Sequence, residues 1–134
     1  MNYAGMIDHT LLKPEATKEQ IKKLCEEARE YGFHSVCVNS SFVYYCAALL
    51  KDSGVKVCTV IGFPLGAMST AGKATEAKAA VADGVQELDM VIHVGMLKSG
   101  NWYYVIQDIS SVVEAAVGRA LVNVFQELCL LTDE

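Results

Sequence analysis

Strand-like apolar runs alternate with helical segments along this chain, and the alternation restricts its fold more than any other feature. The five strand-like runs are residues 5–12, 35–40, 55–63, 87–95 and 119–131. Between the first two runs, apolar residues recur every three or four positions from Ile21 to Ala28, which is typical of an amphipathic helix that Gly32 ends. Such alternation predicts parallel strands joined by crossover helices. We therefore predict an α/β fold with a parallel sheet, built from four βα units and a fifth strand.

Composition and charge restrict the class of protein. With 134 residues, 52% of them hydrophobic, the chain can bury a substantial core, and we predict a single domain spanning residues 1–134. A net charge of −5 argues against nucleic acids and acidic membrane surfaces, which attract clustered lysine and arginine. No apolar run approaches the ~20 residues of a membrane span, and the amino terminus does not resemble a signal peptide. We expect a cytoplasmic protein with no nucleic-acid or membrane partner.

The cysteine and histidine patterns argue against bound metals and disulfides. Cys25 and Cys46 fall on predicted helices, whereas the other cysteines, at positions 37, 58 and 129, fall in predicted strands. The odd number and the lack of a CxxC pair favour reduced, buried thiols in the cytoplasm. The histidines lack HxxxH or HExxH spacing, and neither GxGxxG nor a GK[ST] phosphate loop occurs. We therefore expect no metal site and no nucleotide-binding site.

Polar residues at the expected carboxyl ends of the strands are the candidates for a functional site, because the loops that leave parallel strands build the sites of such folds. Alternation places Asp8 and Thr10 on one strand face, and likewise Asp89 and His93. A carboxylate within an apolar strand is costly unless it is paired, so Asp8 and Asp89 attract attention. In chain order, the candidates are Asp8, Thr10, Cys37, Asn39, the segment 62–66, Asp89, His93 and Glu127.

Several of these residues also have ordinary structural interpretations. Asp8 could cap a backbone turn before Pro14, and Asp89 could belong to a structural ion pair. His9 is predicted to face the helices as a hydrogen-bonded core histidine, and His34, in a helix-to-strand connection, is predicted to be exposed. These alternatives stay open at the level of the sequence.

Four strings together resemble the deoxyribose-phosphate aldolase family. They are IDHTLLKP at 7–14, SVCVN at 35–39, VCTVIGFPLGA at 57–67 and ELDMVIHVG at 87–95. The resemblance covers essentially the whole chain, in order and with the family's spacing. It implies a partial (β/α)8 TIM barrel, corresponding to the amino-terminal half-barrel with its fifth strand.

The resemblance also implies a reaction, the reversible cleavage of 2-deoxyribose 5-phosphate to acetaldehyde and glyceraldehyde 3-phosphate. A lysine of the family forms a Schiff base with the carbonyl compound, so a small phosphorylated sugar or aldehyde is the implied partner and no cofactor is needed. By their positions in the motifs, Asp89 and Asp8 would be catalytic, Asp8 through proton relay and positioning. Substrate binding would fall to Cys37, Thr10, Asn39 and Glu127.

The departures from the family qualify that expectation. The family's Schiff-base lysine lies in a sixth strand and its phosphate-binding loops follow the seventh and eighth strands, none of which matches a segment here. Asn123 stands where a pocket lysine is usual; Lys56 is expected at the wrong end of its strand, and most other lysines on helix surfaces. We therefore expect the chain alone to be inactive or strongly impaired. The alternatives are a non-catalytic, self-associating half-barrel and one piece of a split aldolase.

A half-barrel also predicts self-association. Its first and fifth strands would be open edges with unpaired backbone groups, and inward-facing Val91, Leu121 and Phe125 would lack the opposite barrel wall. We expect a homodimer formed mainly through the fifth strand, with residues 101–105 as a secondary interface. The alternative is a monomer in which a rearranged helix covers the open side.

Overall fold

A computed structural model describes residues 3–131 and contains five strands in one sheet. The strands are β1 (Asp8–Leu11), β2 (Ser35–Val38), β3 (Lys56–Ile61), β4 (Glu87–Val91) and β5 (Leu121–Phe125). They lie side by side in the order β1-β2-β3-β4-β5, and every neighbouring pair is parallel. The predicted fold of four βα units and a fifth strand is confirmed.

Helices connect the strands in the manner expected of crossover units. They are α1 (Lys18–Tyr31), α2 (Val43–Leu49), α3 (Thr70–Ala82), α4 (Val94–Lys98) and α5 (Trp102–Ala116). At the start of α1, Thr17 and Gln20 exchange side-chain-to-backbone hydrogen bonds, which satisfies amides that the first helical turn leaves free. Gly32 ends the helix at φ 66°, a left-handed conformation that glycine adopts without steric cost. None of the helices within residues 3–131 has the length and apolar character needed to cross a membrane.

The hydrophobic core lies between the helices and one face of the sheet, here called the outer face. Side chains alternate along each strand, so Val36, Val38, Leu88 and Met90 point outward and join the helix residues of this core. His9 also faces the helices, as predicted, with Nε2 2.7 Å from Glu27 Oε2. The opposite, inner face carries the remaining strand residues, which are mostly polar. They are Asp8, Thr10, Ser35, Cys37, Lys56, Cys58, Val60, Glu87, Asp89, Val91, Leu121, Asn123 and Phe125.

The strands are shorter than the sequence predicts, especially β1 and β5. A 3-10 helix, Ala4–Met6, precedes β1, and a second one, Leu128–Leu130, follows β5. Because a short apolar run suits either a strand or a tight helical turn, the sequence pattern did not separate the two. Cys129 is therefore neither in a strand nor buried, contrary to expectation, whereas the other four thiols are buried.

The loop that follows β3 covers the end of β4. Gly66 has φ 67°, and a Cβ there would clash with the Ile92 carbonyl oxygen and lie 2.9 Å from Val91 Cγ1. Only glycine allows the loop this close. Val91, which we expected to lack cover, is fully buried as a result.

A buried ion pair joins α3 to α5. The Lys73 ammonium donates to the Asp108 carboxylate and, at 2.9 Å, to the Val91 carbonyl oxygen. Lys73 is completely buried and Asp108 almost so. The expectation that such a lysine lies on a helix surface is wrong for Lys73, because its face of α3 is also the face of Ala77 and Ala80, which pack into the core.

Candidate functional site

Two thiols and a carboxylate meet on the inner face near the middle of the sheet. Cys37 and Cys58 are direct register partners across β2 and β3, and Asp89 of β4 is the partner of Val60. The two sulfur atoms and a carboxylate oxygen all lie within 4.8 Å of one another. All three residues are buried, so the sheet brings together the predicted Asp89 and Cys37 and adds Cys58.

Asp89 is held by a neutral donor. The amide Nδ2 of Asn123, its register partner on β5, donates to Asp89 Oδ1 at 3.0 Å. Within residues 3–131, no lysine, arginine or histidine forms an ion pair with Asp89, so the structural-ion-pair interpretation is not supported there. A buried carboxylate oriented by an amide can accept and return a proton.

The neighbouring thiol is kept in its neutral form. A hydrogen bond with Cys37, burial, and the nearby Asp89 carboxylate together raise the pKa of the Cys58 thiol. Burial disfavours the thiolate because a low-dielectric surrounding stabilises charge poorly. At neutral pH, Cys58 is therefore a protonated, unreactive group beside Asp89.

Asp8 lies at the other end of the sheet. It is the first residue of β1, in register with Ser35 and, through it, with Lys56. That row is four residues before the row of Asp89, about 13 Å along the strand direction. Asp8 accepts a hydrogen bond from Ser35 Oγ at 2.6 Å. The prediction that Asp8 lies with Cys37 and Asp89 at the carboxyl end of the sheet is wrong for Asp8, because β1 begins at Asp8 and not three residues earlier.

A second polar cluster surrounds Asp8 and includes Glu87, which sequence reasoning missed. Glu87 Oε1 accepts from Lys56 Nζ at 3.1 Å and lies 2.7 Å from His34 Nε2. Asp8, His34 and Glu87 bring potential ligand atoms within 4.8 Å of one another beside an open cavity of about 370 Å³. His34 is half-buried and not exposed as expected. Alternation could have revealed Glu87, since it lies two residues before Asp89 on the same face.

Thr10 and Asn39, which were also predicted as site residues, lie outside these two clusters. Thr10 is in register with Cys37 but exposed, and its hydroxyl donates to the Asp8 carbonyl oxygen at 2.8 Å. Asn39 donates to the Leu12 carbonyl oxygen at 3.2 Å beside a cleft of about 570 Å³ at the carboxyl ends of β1 to β3. Thr10 and Asn39 thus lie on the walls of the site, with side chains bonded to backbone.

His93 and Glu127 follow the two last strands. His93 begins α4, where its Nδ1 accepts from the Met96 amide at 3.3 Å and its ring meets Tyr104 edge-on. Glu127 is exposed at φ 51°, two residues beyond β5, and no described contact joins it to Asp89. In both cases the sequence predicts a strand that continues past its observed end, which is Val91 for β4 and Phe125 for β5.

Comparison with known proteins gives one consistent answer. Residues 4–133 match the family described as DeoC/LacD family aldolase. The deoxyribose-phosphate aldolase of Lysinibacillus sphaericus is 60% identical over 133 residues, which are 99% of this chain and 60% of the relative. This chain thus spans about three fifths of the length of that relative.

Solved structures agree with the sequence comparison. A candidate deoxyribose-phosphate aldolase from Coccidioides immitis superposes with a TM-score of 0.95 at 43% identity, over 98% of this chain and 51% of that one. A deoxyribose phosphate aldolase from Aeropyrum pernix, described as tetrameric, gives 0.86 at 37% identity, over 97% and 54%. The five-stranded sheet with its helices is a partial TIM barrel of the kind these aldolases contain.

Proposed function

Because the chain belongs to the DeoC/LacD aldolase family, we propose that it supplies the part of a deoxyribose-phosphate aldolase active site that transfers protons. The observation that carries the proposal is the buried Asp89 carboxylate on the inner face, held by Asn123 at 3.0 Å. An oriented carboxylate of this kind suits the proton transfers that accompany carbon–carbon cleavage through a Schiff base. Cys37 and Cys58 form the apolar floor next to it.

The lysine of such a site must come from elsewhere. Among the lysines within residues 3–131, only Lys56 lies on a strand, and its ammonium is bonded to Glu87 at the amino end of the sheet. Lys73 is buried behind the sheet in its pair with Asp108. Neither ammonium is free beside Asp89, so we propose that a further segment or polypeptide contributes the Schiff-base amine.

The 134 residues alone are therefore expected to be inactive or strongly impaired. Without an amine beside Asp89 the covalent route is closed, and general acid–base catalysis by an oriented carboxylate contributes only about 10²- to 10⁴-fold. The substrate of the completed site would be a small phosphorylated sugar, in keeping with the name of the relatives.

The test joins this chain to the part of the Lysinibacillus sphaericus aldolase that it does not match. Cleavage of 2-deoxyribose 5-phosphate is followed in a coupled assay, and borohydride trapping with substrate reports the imine. We expect turnover and trapping from the joined protein and neither from the separate chain. Turnover of about 1 to 10³ s⁻¹ by the separate chain would overturn the proposal.

Substitution of Asp89 then tests the residue that carries the proposal. In the joined protein, Asp89→Asn is expected to lower kcat by about 10²- to 10⁴-fold while imine trapping persists. The matched control is Asp83→Asn, since Asp83 is an exposed residue at the end of α3. Unchanged kcat in Asp89→Asn, or an equal loss in the control, would contradict the assigned role.

A second candidate property, self-association, is favoured by the exposed residues of the last strand. Leu121 and Phe125 face inward yet are 57% and 39% exposed, and Leu128 and Leu130 beyond them are also exposed. An open strand edge combined with apolar side chains favours pairing with another chain. We propose a homodimer through β5, with exposed Trp102 and Tyr103 of α5 as a secondary contact. A complementary aldolase segment would use the same edge.

A further inference from the structure

We infer that Cys37, Cys58 and Asp89 form a binding site for one soft divalent cation, such as zinc or cadmium. Their three potential ligand atoms come from three adjacent strands and lie within 4.8 Å of one another. All three side chains are buried, and the parallel register fixes the positions of their backbones. The metal site shares Asp89 with the proton transfers proposed above, but metal binding requires no substrate and no lysine.

The donor set determines the kind of ion. Two thiolates and one carboxylate favour zinc or cadmium over magnesium or calcium, which prefer oxygen alone. Tetrahedral zinc has Zn–S distances of about 2.3 Å and Zn–O distances of about 2.0–2.2 Å, so its ligand atoms are roughly 3.5–3.8 Å apart. The three atoms lie within 4.8 Å of one another, so we expect metal binding to draw them together by movement of the side chains.

Metal binding releases protons and leaves one net negative charge. It displaces the proton of each protonated thiol to solvent, with no oxidation or reduction. Two thiolates and the Asp89 carboxylate carry three negative charges against the two positive charges of the ion. The other charged groups on the inner face are Glu87, Lys56 and Asp8, which lie toward the amino ends of the strands. Lys56 is held by Glu87, so it does not neutralise Asp89. Affinity is expected to rise with pH, because protons compete with the metal.

Cadmium is the probe, because cadmium–thiolate bonds give an ultraviolet charge-transfer band. The chain is used whole, with the exposed Cys129 changed to serine, and is titrated with cadmium chloride after removal of reductant. We expect saturation at one cadmium per chain. Cys37→Ala and Cys58→Ala should each lose most of the band, and Asp89→Asn should weaken binding by ~10-fold or more. Circular dichroism verifies that each variant is folded.

The matched control is the other pair of buried thiols. Cys25 and Cys46 lie against each other between α1 and α2, within the helix-side core. Cys25→Ala and Cys46→Ala should leave the cadmium band unchanged. A band that survives both Cys37→Ala and Cys58→Ala, or that disappears in Cys25→Ala or Cys46→Ala, would overturn the assignment.

A measurement without substitution at the ligands completes the test. X-ray absorption of the zinc-loaded Cys129→Ser chain should show two sulfur ligands with the rest oxygen or nitrogen. A count of no sulfur or of four sulfurs would refute the site. Because these readouts do not depend on turnover, their failure is distinct from failure of the aldolase proposal.

Discussion

Asn123 donates its side-chain amide to the Asp89 carboxylate at 3.0 Å, across the register pair that joins β4 to β5. One partner of this bond is buried and the other is exposed. The contact therefore orients a buried carboxylate from the rim of the sheet, at the position where the resemblance to the aldolases leads one to expect a lysine. A neutral amide at this point fixes the orientation of the Asp89 carboxylate without providing a positive charge to pair with it.

Removing that amide should cost catalysis more than stability. In the protein joined to the relative's remaining segment, Asn123→Ala is expected to lower kcat by ~10-fold, since one hydrogen bond to a charged group is worth about 1.5 kcal/mol. The control is Asn101→Ala, which removes the cap of α5 and should lower the free energy of unfolding by about 1 kcal/mol without changing kcat. An unchanged kcat in Asn123→Ala would show that the bond is incidental.

The ion pair of Lys73 and Asp108 should dominate the stability of the α3–α5 interface. Lys73→Met leaves Asp108 buried without its cation and is expected to lower the free energy of unfolding by about 3–5 kcal/mol in urea titration. Lys22→Met serves as the control, because Lys22 and Glu26 form an exposed pair at 3.6 Å worth less than about 1 kcal/mol. Similar losses in both variants would contradict this prediction.

Thiol reactivity should separate one cysteine from the other four. Cys129 is exposed and the remaining four are buried. The thiolate is the reactive form. Hydrogen bonding to their partner thiols and burial raise the pKa of Cys46 and Cys58, whereas the hydrogen bond with Cys46 lowers the pKa of Cys25, which burial keeps from reagents. Brief alkylation at pH 7 should modify Cys129 alone, and full denaturation all five, as measured by mass spectrometry. Modification of Cys58 as fast as Cys129 would be inconsistent with the fold.

The raised pKa of Cys58 predicts alkaline destabilisation. In the unfolded chain, thiols ionise near pH 8.5, whereas folded Cys58 holds its proton to a higher pH. Stability from this group is thus complete below that pH and declines as pH rises from 8 to 10, by at most about 1.4 kcal/mol per unit. Urea titrations should show a shallower decline for Cys58→Ala. An identical slope would disprove the role of Cys58.

Self-association is expected to depend on the exposed face of β5. Light scattering coupled to size exclusion should give about twice 14.5 kDa at tens of micromolar protein. Leu121→Lys with Phe125→Glu should return the monomer mass, because both side chains are exposed on the inner face. Tyr44→Lys is the control, as Tyr44 is exposed on α2, away from this edge. A wild-type mass near 14.5 kDa would exclude the dimer.

Period-two alternation predicted most of what positions the site. It placed Asp89 on the inner face and His9 on the outer face, and the order of strands followed from their alternation with helices. Alternation did not predict where the first and last strands begin and end, because the apolar residues near Met6 and Leu128 belong to 3-10 turns. For that reason Asp8 and Glu127 were placed in the wrong part of the sheet.

The spacing of residues along the sequence did not predict contacts between segments that are far apart in the chain. A search for CxxC or paired histidines tests neighbours along the chain, whereas Cys37 and Cys58 are neighbours only through the parallel register. Lys73 resembled a surface lysine, and its partner Asp108 lies in another helix. The apolar residues that share its helix face, Ala77 and Ala80, were the available local signal.

Gly62, which follows β3, is needed both for the turn at the end of that strand and for the space that Lys73 occupies. It has φ 67°, and a Cβ there would lie 2.8 Å from Lys73 Cε. The buried Lys73 side chain therefore occupies the space that a side chain at position 62 would need. A larger residue at position 62 would both strain the turn and displace the ammonium from Asp108 and the Val91 carbonyl. Positions 62 and 73 are consequently expected to vary together, because a side chain at position 62 and the lysine at position 73 compete for the same space.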